Sequence, residues 1–155
     1  YFKNKNRNYF IYQTNPFTIV EVDRNWNFII DEFITEGVIW EYGPCRGGSN
    51  PVLHDGQFWS FFHSSLLIIG NKRIYYMGWY SFEPEPPFKI TGFSKKPIMT
   101  GSFVESIPNF FHSGTTPWAV VFPGGAYIED GVWTVVYGYN DAQCRWIKIP
   151  HGDLK

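Results

Sequence analysis

Four polar residues carry side chains that could bind an anion or a sugar: Arg46, Asn50, His63 and Asp141. Arg46 and Asn50 flank the glycine pair Gly47-Gly48. A planar guanidinium can make two parallel hydrogen bonds to phosphate or carboxylate, or can donate to sugar hydroxyls. The alternative for Arg46 is an ion pair with Glu41 or with another carboxylate, and the sequence leaves both interpretations open.

His63 and Asp141 each stand at the polar end of an aromatic segment. If the first of these segments is a strand, alternation puts Phe61 and His63 on one face and Phe62 and Ser64 on the other. On spacing alone, a lone histidine there is more often a hydrogen-bonded structural residue than a ligand-binding one. The carboxylate of Asp141 only accepts hydrogen bonds, which suits sugar hydroxyls. Its alternative is an ordinary Asx-turn.

Other familiar catalytic and metal-binding patterns are missing from the sequence. It contains no HExxH, P-loop or GxGxxG, and the serines after His63 lack a nucleophile elbow. Glu83 and Glu85 lie in a proline-rich segment, where we expect loop residues. Cys45 and Cys144 lack the spacing of zinc ligands, and a single disulfide between them stays open. We expect neither a metal nor an organic cofactor.

The candidate residues lie among short predicted β-strands. Eleven Pro and fifteen Gly interrupt the chain, and the segments between them are rich in the β-branched and aromatic residues that favour strands. No uninterrupted stretch carries the apolar stripe of a helix. The predicted strands cover residues 9–13, 18–23, 27–31, 38–41, 50–54, 58–64, 73–82, 89–94, 119–122, 126–129, 132–137 and 143–149. The sequence therefore predicts an all-β protein.

Residues 47–59 and 124–133 resemble each other, since each has Gly-Gly, a short strand, Asp-Gly and an aromatic strand. Asp55-Gly56 and Asp130-Gly131 predict type I′ hairpin turns, in which both central residues have positive φ. A repeated hairpin unit favours propeller blades of about 40–50 residues, hence about three blades here. The alternative fold is a β-sandwich. Five tryptophans are expected to pack between blades: Trp59, Trp79, Trp118, Trp133 and Trp146.

Length and composition bound the function. The 155 residues fit one domain, 1–155, and with 21% aromatic and 17% charged residues the chain can bury a large core. A net charge of -1 without runs of like charge argues against a nucleic-acid partner, and no apolar run approaches the ~20 residues that span a membrane. The first residues include neither Met nor a signal peptide, so we expect a fragment or a processed chain. A cytoplasmic location is favoured.

Four motifs follow one another along the chain: Arg-Gly-Gly-Ser-Asn-Pro-Val at 46–52, Phe-Phe-His-Ser at 61–64, Tyr-Met-Gly-Trp-Tyr-Ser-Phe at 76–82 with Pro-Glu-Pro-Pro-Phe at 84–88, and Phe-Pro-Gly-Gly at 122–125 with Tyr-Gly-Tyr-Asn-Asp at 137–141. This series resembles the five-bladed propeller glycosidases and phosphorylases related to glycoside hydrolase family 130, which cleave β-mannosides. The resemblance covers about residues 40–155. It implies the C-terminal portion of a propeller, about three of five blades.

The resemblance also implies roles for two residues. His63 matches the histidine of the family's Tyr-His-Gly segment, which contacts phosphate or substrate, although its neighbours here are Phe62 and Ser64. Asp141 matches the sugar-binding aspartate of Tyr-Gly-Ala-Ala-Asp, although Tyr139 and Asn140 replace the alanines. The family's general acid, an aspartate, comes from the earlier part of the propeller. No residue of this chain is therefore assigned to that role.

We accordingly expect a carbohydrate-active propeller protein that is incomplete for catalysis on its own. Its ligand would be an oligosaccharide or glycoside, with inorganic phosphate as co-substrate if the reaction is phosphorolysis. The alternative is a non-catalytic glycan-binding or oligomeric assembly module. Because three blades leave apolar inter-blade faces uncovered, we also expect a homo-oligomer or association with a missing N-terminal portion.

Overall fold

The computed structural model describes residues 1–68, 72–104 and 119–154, and the side chains of all of these except residues 29–31. The described strands form three antiparallel sheets in chain order. The first sheet contains β1 (Phe2–Asn4), β2 (Arg7–Thr14), β3 (Phe17–Val22) and β4 (Phe28–Thr35). The middle sheet contains β5 (Arg46–Gly48), β6 (Val52–His54), β7 (Gln57–Ile68), β8 (Lys72–Phe82), β9 (Ile90–Phe93) and β10 (Met99–Thr100). The last contains β11 (Val121–Glu129), β12 (Val132–Tyr139) and β13 (Gln143–Pro150), followed by a 3-10 turn at His151–Leu154.

The middle sheet packs on both of its faces, because its strands alternate apolar residues on either side. Phe62 joins the core shared with the first sheet, whereas Phe61 joins the core shared with the last. The predicted alternation along β7 is therefore confirmed. Three sheets stacked in succession, each built from consecutive antiparallel strands, are the blades of a partial propeller. The β-sandwich is not the architecture of this chain.

The two Asp-Gly turns are confirmed as left-handed at both central positions. Asp55 and Gly56 have φ of 49° and 76°, and Asp130 and Gly131 have φ of 49° and 72°. Both turns close two-residue hairpins, since His54 pairs with Gln57 and Glu129 with Val132. Asp tolerates this conformation and Gly adopts it without a Cβ clash. The repeat in the sequence is thus a repeat in the fold.

Some predicted elements differ from the structure. Residues 38–41 are not a strand: Val38 and Trp40 are buried in an irregular segment, where the Trp40 indole donates to the Ser94 carbonyl. The strands predicted at 119–122 and 126–129 are joined in a single strand, β11, which begins at Val121 and continues through Pro123 and the glycines as a bulge. The sequence does not predict the short strands β1, β5 and β10, which have two or three residues each.

The tryptophans predicted to pack between blades do not all do so. Trp59, Trp79 and Trp133 are buried together between the middle and last sheets, as predicted. Trp146 instead lies on the outer face of β13 and is 65% exposed, so its predicted role in packing between blades within this chain is wrong. Trp118 falls outside the described residues.

Both cysteines are free, so the disulfide left open by the sequence is not formed. Burial raises the pKa of the Cys45 thiol to about 12, which keeps it protonated and unreactive. Among the described residues, α-helical backbone is confined to 103–104, in keeping with an all-β chain. None of the helices in the part of the chain described has the length and apolarity to cross a bilayer.

Candidate functional site

Each Gly-Gly segment forms a β-bulge, in which one strand carries a residue without a partner. The register shifts between Arg46 and Gly48 in β5, and between Pro123 and Gly125 in β11. Bulges redirect side chains and often occur beside active sites. A Gly-Gly bulge therefore occurs in each of two consecutive blades, in β5 of the middle sheet and in β11 of the last sheet.

Arg46 borders a cavity of about 390 Å³ between the first and middle sheets. This volume is in the range of small-ligand sites. Most of the residues that line it come from the end of β2 and from β5 with its flanking residues, and one comes from β8: Tyr1, Ile11, Tyr12, Gln13, Thr14, Cys45, Arg46, Gly47, Gly48, Ser49, Pro51 and Tyr80. None of these lining residues is an aspartate or a glutamate.

The Arg46 guanidinium is exposed, and no carboxylate of the described residues lies within ion-pair distance of it. The alternative pairing with Glu41 is therefore not formed. An unpaired guanidinium at the edge of a cavity keeps its five donors for a ligand. This arrangement suits a phosphate, a carboxylate or a group of hydroxyls.

His63 lies opposite Arg46 on the neighbouring strand, but it is buried behind the cavity wall. Its Nδ1 is 2.6 Å from the carbonyl oxygen of Gly47. A carbonyl only accepts, so Nδ1 carries the proton and, in the neutral ring, Nε2 is the acceptor. The ring packs against Phe122 and Tyr75, with centroids 4.2 and 6.1 Å away. His63 thus holds the bulge at Gly47.

Burial lowers the pKa of His63 below its ordinary value; the hydrogen bond to Gly47 acts in the opposite direction, and the charge of Arg46 lowers it further. The net direction is downward, so the ring is neutral at pH 7. A histidine whose folded-state pKa lies below its unfolded value stabilises the fold fully above the unfolded pKa. That contribution is lost as the pH falls below the unfolded value of 6.5.

We expect the melting temperature of the protein to fall more steeply between pH 7.5 and pH 5 than that of the His63→Asn variant. The asparagine amide can still donate to the Gly47 carbonyl but does not titrate. Calorimetric or circular-dichroism melts across this range measure the difference, and the other histidines titrate equally in both proteins. Parallel pH profiles would contradict the assignment of a neutral, buried His63.

Asn50 holds the middle and last sheets together. Its side-chain amide donates to the carbonyl of Ala126 at 3.2 Å, and its side-chain oxygen accepts from the Ala126 amide at 3.1 Å. The side chain therefore pairs with β11 as a neighbouring strand would. Ligand binding by Asn50 stays a prediction, since both polar atoms of the amide already have partners.

Asp141 lies in the turn between β12 and β13. Asn140 and Asp141 both have φ of 52°, and the Ala142 amide donates to the Tyr139 carbonyl, which makes another left-handed turn. The carboxylate is exposed and is not among the groups that line the cavity beside Arg46. The structure places Arg46 and His63 opposite each other on paired strands. Asn50 instead forms hydrogen bonds with β11 of the last sheet, and Asp141 lies in a turn of that sheet.

One group of potential metal ligands occurs in the described part of the chain, at His54, Asp55 and His151. The Nε2 atoms of His54 and His151 lie 3.5 and 3.8 Å from Asp55 Oδ2. However, the Trp133 indole donates to His151 Nδ1 at 3.0 Å, so the neutral ring carries its proton on Nε2. A ligating nitrogen must be unprotonated, and metal-bound histidines normally donate through their other nitrogen. The group therefore does not fit a metal.

The same histidine connects both repeated turns. Besides facing Asp55, His151 donates its backbone amide to the carbonyl of Gly131 at 2.8 Å. Sequence reasoning did not identify His54 or His151. The available signal was the position of His54 directly before one of the Asp-Gly turns.

Solved structures share this fold. A β-1,2-mannobiose phosphorylase from Listeria innocua, in complex with β-1,2-mannobiose, aligns with 96% of the chain at a TM-score of 0.64 and 19% identity. A candidate glycoside hydrolase from Parabacteroides distasonis aligns with 97% of the chain (TM-score 0.59, 16% identity), and a candidate glycosidase from Bacteroides thetaiotaomicron with 96% (TM-score 0.59, 17% identity). The predicted resemblance to propeller glycosidases and phosphorylases is confirmed for the fold.

The chain spans 40% of the length of the first of these structures and 46% of each of the other two. No family profile matches the sequence, and no curated protein matches it significantly. The likeness is therefore one of architecture, and it covers the partial propeller described above.

Proposed function

We propose that this chain is a sugar- and phosphate-binding portion of a carbohydrate-active propeller similar to the β-mannoside phosphorylases and hydrolases. The observation that carries the proposal is the unpaired guanidinium of Arg46 at a cavity of about 390 Å³. The fold shared with a mannobiose phosphorylase supports the choice of ligand class. An oligosaccharide and inorganic phosphate are the ligands in question.

Arg46 would serve the reaction by binding the phosphate that replaces water as the attacking group. In an inverting phosphorolysis, a phosphate oxygen forms a bond to the anomeric carbon while the glycosidic bond breaks, and an acid protonates the leaving oxygen. No carboxylate borders the cavity among the described residues. The acid would therefore come from blades that this sequence does not include.

The missing carboxylate also favours a second candidate, a non-catalytic glycan-binding or assembly module. Such a module would bind the sugar and leave it intact. Incubation with β-1,2-mannobiose, with and without inorganic phosphate, separates the two functions once the chain is joined to blades that supply an acid. Release of mannose or of a sugar phosphate by the joined protein then indicates catalysis, whereas binding without turnover indicates the module.

The Arg46→Met variant should bind inorganic phosphate at least tenfold more weakly than the unmodified chain, because hydrogen bonds to a charged group contribute about 1.5–3 kcal/mol. Titration calorimetry with inorganic phosphate measures the loss. Arg24→Met is the matched control, since Arg24 is also exposed but lies in the turn between β3 and β4. Equal affinities of the chain and its Arg46 variant would exclude Arg46 as the phosphate ligand.

We also propose that the chain associates through exposed apolar residues of its first and last sheets. Val136 and Trp146 are paired on the last sheet and are 38% and 65% exposed, and Phe28 and Ile34 on the first are 69% and 60% exposed. Where such residues form a contiguous apolar patch, the patch usually marks an interaction surface. The partner is a second copy or further blades of the same propeller, and sedimentation of the chain alone distinguishes them.

A further inference from the structure

Tyr12 is the unpaired residue of a β-bulge in the first sheet. On β2, Ile11 pairs with Ile19 and Gln13 pairs with Thr18, so Tyr12 has no partner on β3. An extra residue bends the strand and redirects its side chain. While Ile11 packs against the core between the first and middle sheets, Tyr12 borders the cavity beside Arg46.

The ring of Tyr12 is not used by the fold. The side chain is 69% exposed. No described residue stacks on its ring or forms a side-chain hydrogen bond with it. The other aromatic residue that β2 turns outward, Phe10, is held by contacts with Tyr1 and Trp26. Tyr12 therefore keeps an apolar, polarisable face at the mouth of the cavity.

Gly47 leaves part of the opposite wall of the cavity without a side chain. A Cβ added to Gly47 would meet no atom within 4 Å, so space is open above that residue. A ligand can therefore approach the main chain closely beside Arg46. The cavity is thus bordered by the guanidinium of Arg46, the aromatic ring of Tyr12 and the accessible backbone of Gly47. This combination suits a flat, hydroxyl-rich ring that carries or accompanies an anion.

We propose that Tyr12 is the residue that selects a sugar at this cavity, by stacking its ring against the C–H face of a pyranose whose polar groups reach Arg46. The assignment rests on the proposed function and adds to it the residue that recognises the sugar. Tyr12 supplies contact area at low entropic cost, because its side chain has few rotatable bonds. Arg46 supplies the hydrogen bonds and the charge.

The test uses the 155-residue chain with two separate probes, β-1,2-mannobiose and inorganic phosphate. Tyr12→Ala should weaken mannobiose binding roughly tenfold, equivalent to 1.4 kcal/mol at 25 °C, and should leave phosphate binding unchanged. Tyr12→Phe should bind the sugar normally, because it keeps the ring. Tyr127→Ala is the matched control, since Tyr127 is 52% exposed and lies on the last sheet.

Each outcome decides between the two proposals. If the chain binds mannobiose and Tyr12→Ala binds it equally well, the role of Tyr12 is wrong and the proposed function stands. If the chain binds phosphate but no sugar, stacking by Tyr12 is again excluded. If it binds neither probe, both proposals fail. Loss of sugar binding in Tyr12→Phe as well would replace stacking with a role for the hydroxyl and overturn the inference.

Discussion

Replacing Gly48 with alanine should lower the free energy of unfolding by about 3 kcal/mol or more, because the new methyl group has no space. Its carbon would lie well inside contact distance of the Phe61 carbonyl oxygen and 3.0 Å from Phe62 Cα. That oxygen cannot move away freely, since it accepts the Ser49 amide at 2.8 Å. The clash is with backbone, so no change of rotamer relieves it.

Gly47→Ala is the control for this variant, because the two glycines are adjacent in one bulge. A Cβ at Gly47 meets nothing within 4 Å, so we expect a change within about 0.5 kcal/mol. Chemical unfolding followed by tryptophan fluorescence gives both values. Similar losses in the two variants would show that the bulge, rather than the contact with Phe61, limits the substitution.

The sensitivity of Gly48 follows from the residue beside it. Ser49 is buried; its hydroxyl accepts the Phe61 amide at 2.9 Å, and its carbonyl accepts the Ser60 hydroxyl at 2.9 Å. These bonds tie the segment after β5 to the central strand of the middle sheet. The backbone of β5 can approach Phe61 of β7 this closely because Gly48 has no side chain. The position of Arg46 at the cavity depends on that close approach.

Features of the fold with local causes could be predicted from the sequence. The turns at Asp55-Gly56 and Asp130-Gly131 follow from residue types that adopt positive φ, and both are left-handed in the structure. The faces of β7 follow from simple alternation, so Phe61 and Phe62 lie in different cores as predicted. Two hairpins and one alternating strand are enough to indicate stacked sheets.

Features that depend on distant contacts could not be predicted. Val38 and Trp40 have the composition of a strand, but their segment is fixed instead by burial and by the indole bond to Ser94. Pro123 and the glycines after it predict the end of a strand, whereas the bulge lets β11 continue through them. The exposure of Tyr12 likewise depends on a register shift against β3, which the sequence of β2 does not specify.

In the candidate site, too, residue types could be predicted from the sequence, whereas their contacts could not. The sequence identified Arg46 and His63 by type, but burial and the Gly47 carbonyl determine that one faces the cavity and the other supports its wall. The position of Asn50 after Gly-Gly predicts a ligand-binding residue. Only the structure shows that its amide faces the backbone of β11.

Replacing Asn50 with alanine should therefore reduce stability before it reduces binding. The variant leaves the amide and the carbonyl of Ala126 without their partners, at roughly 1 kcal/mol for each bond and about 2 kcal/mol in total. Amide hydrogen exchange at Ala126 should accelerate, while exchange within β2 and β3 should not, because the lost bonds join the middle and last sheets. Unfolding measurements and exchange on the same sample test both statements.

Asn50→Asp, which keeps the shape of the side chain, sharpens this test. The carboxylate can still accept the Ala126 amide, but it has no proton for the Ala126 carbonyl and brings two oxygens together. We expect it to lose stability at pH 7 as well, since the hydrogen bond to the Ala126 carbonyl is gone and the carboxylate oxygen repels the carbonyl oxygen. If either variant instead kept its stability and lost only its affinity for phosphate or mannobiose, Asn50 would be a ligand-binding residue. The connection between the two sheets would then have to rest on the apolar core around Phe61 and Trp133.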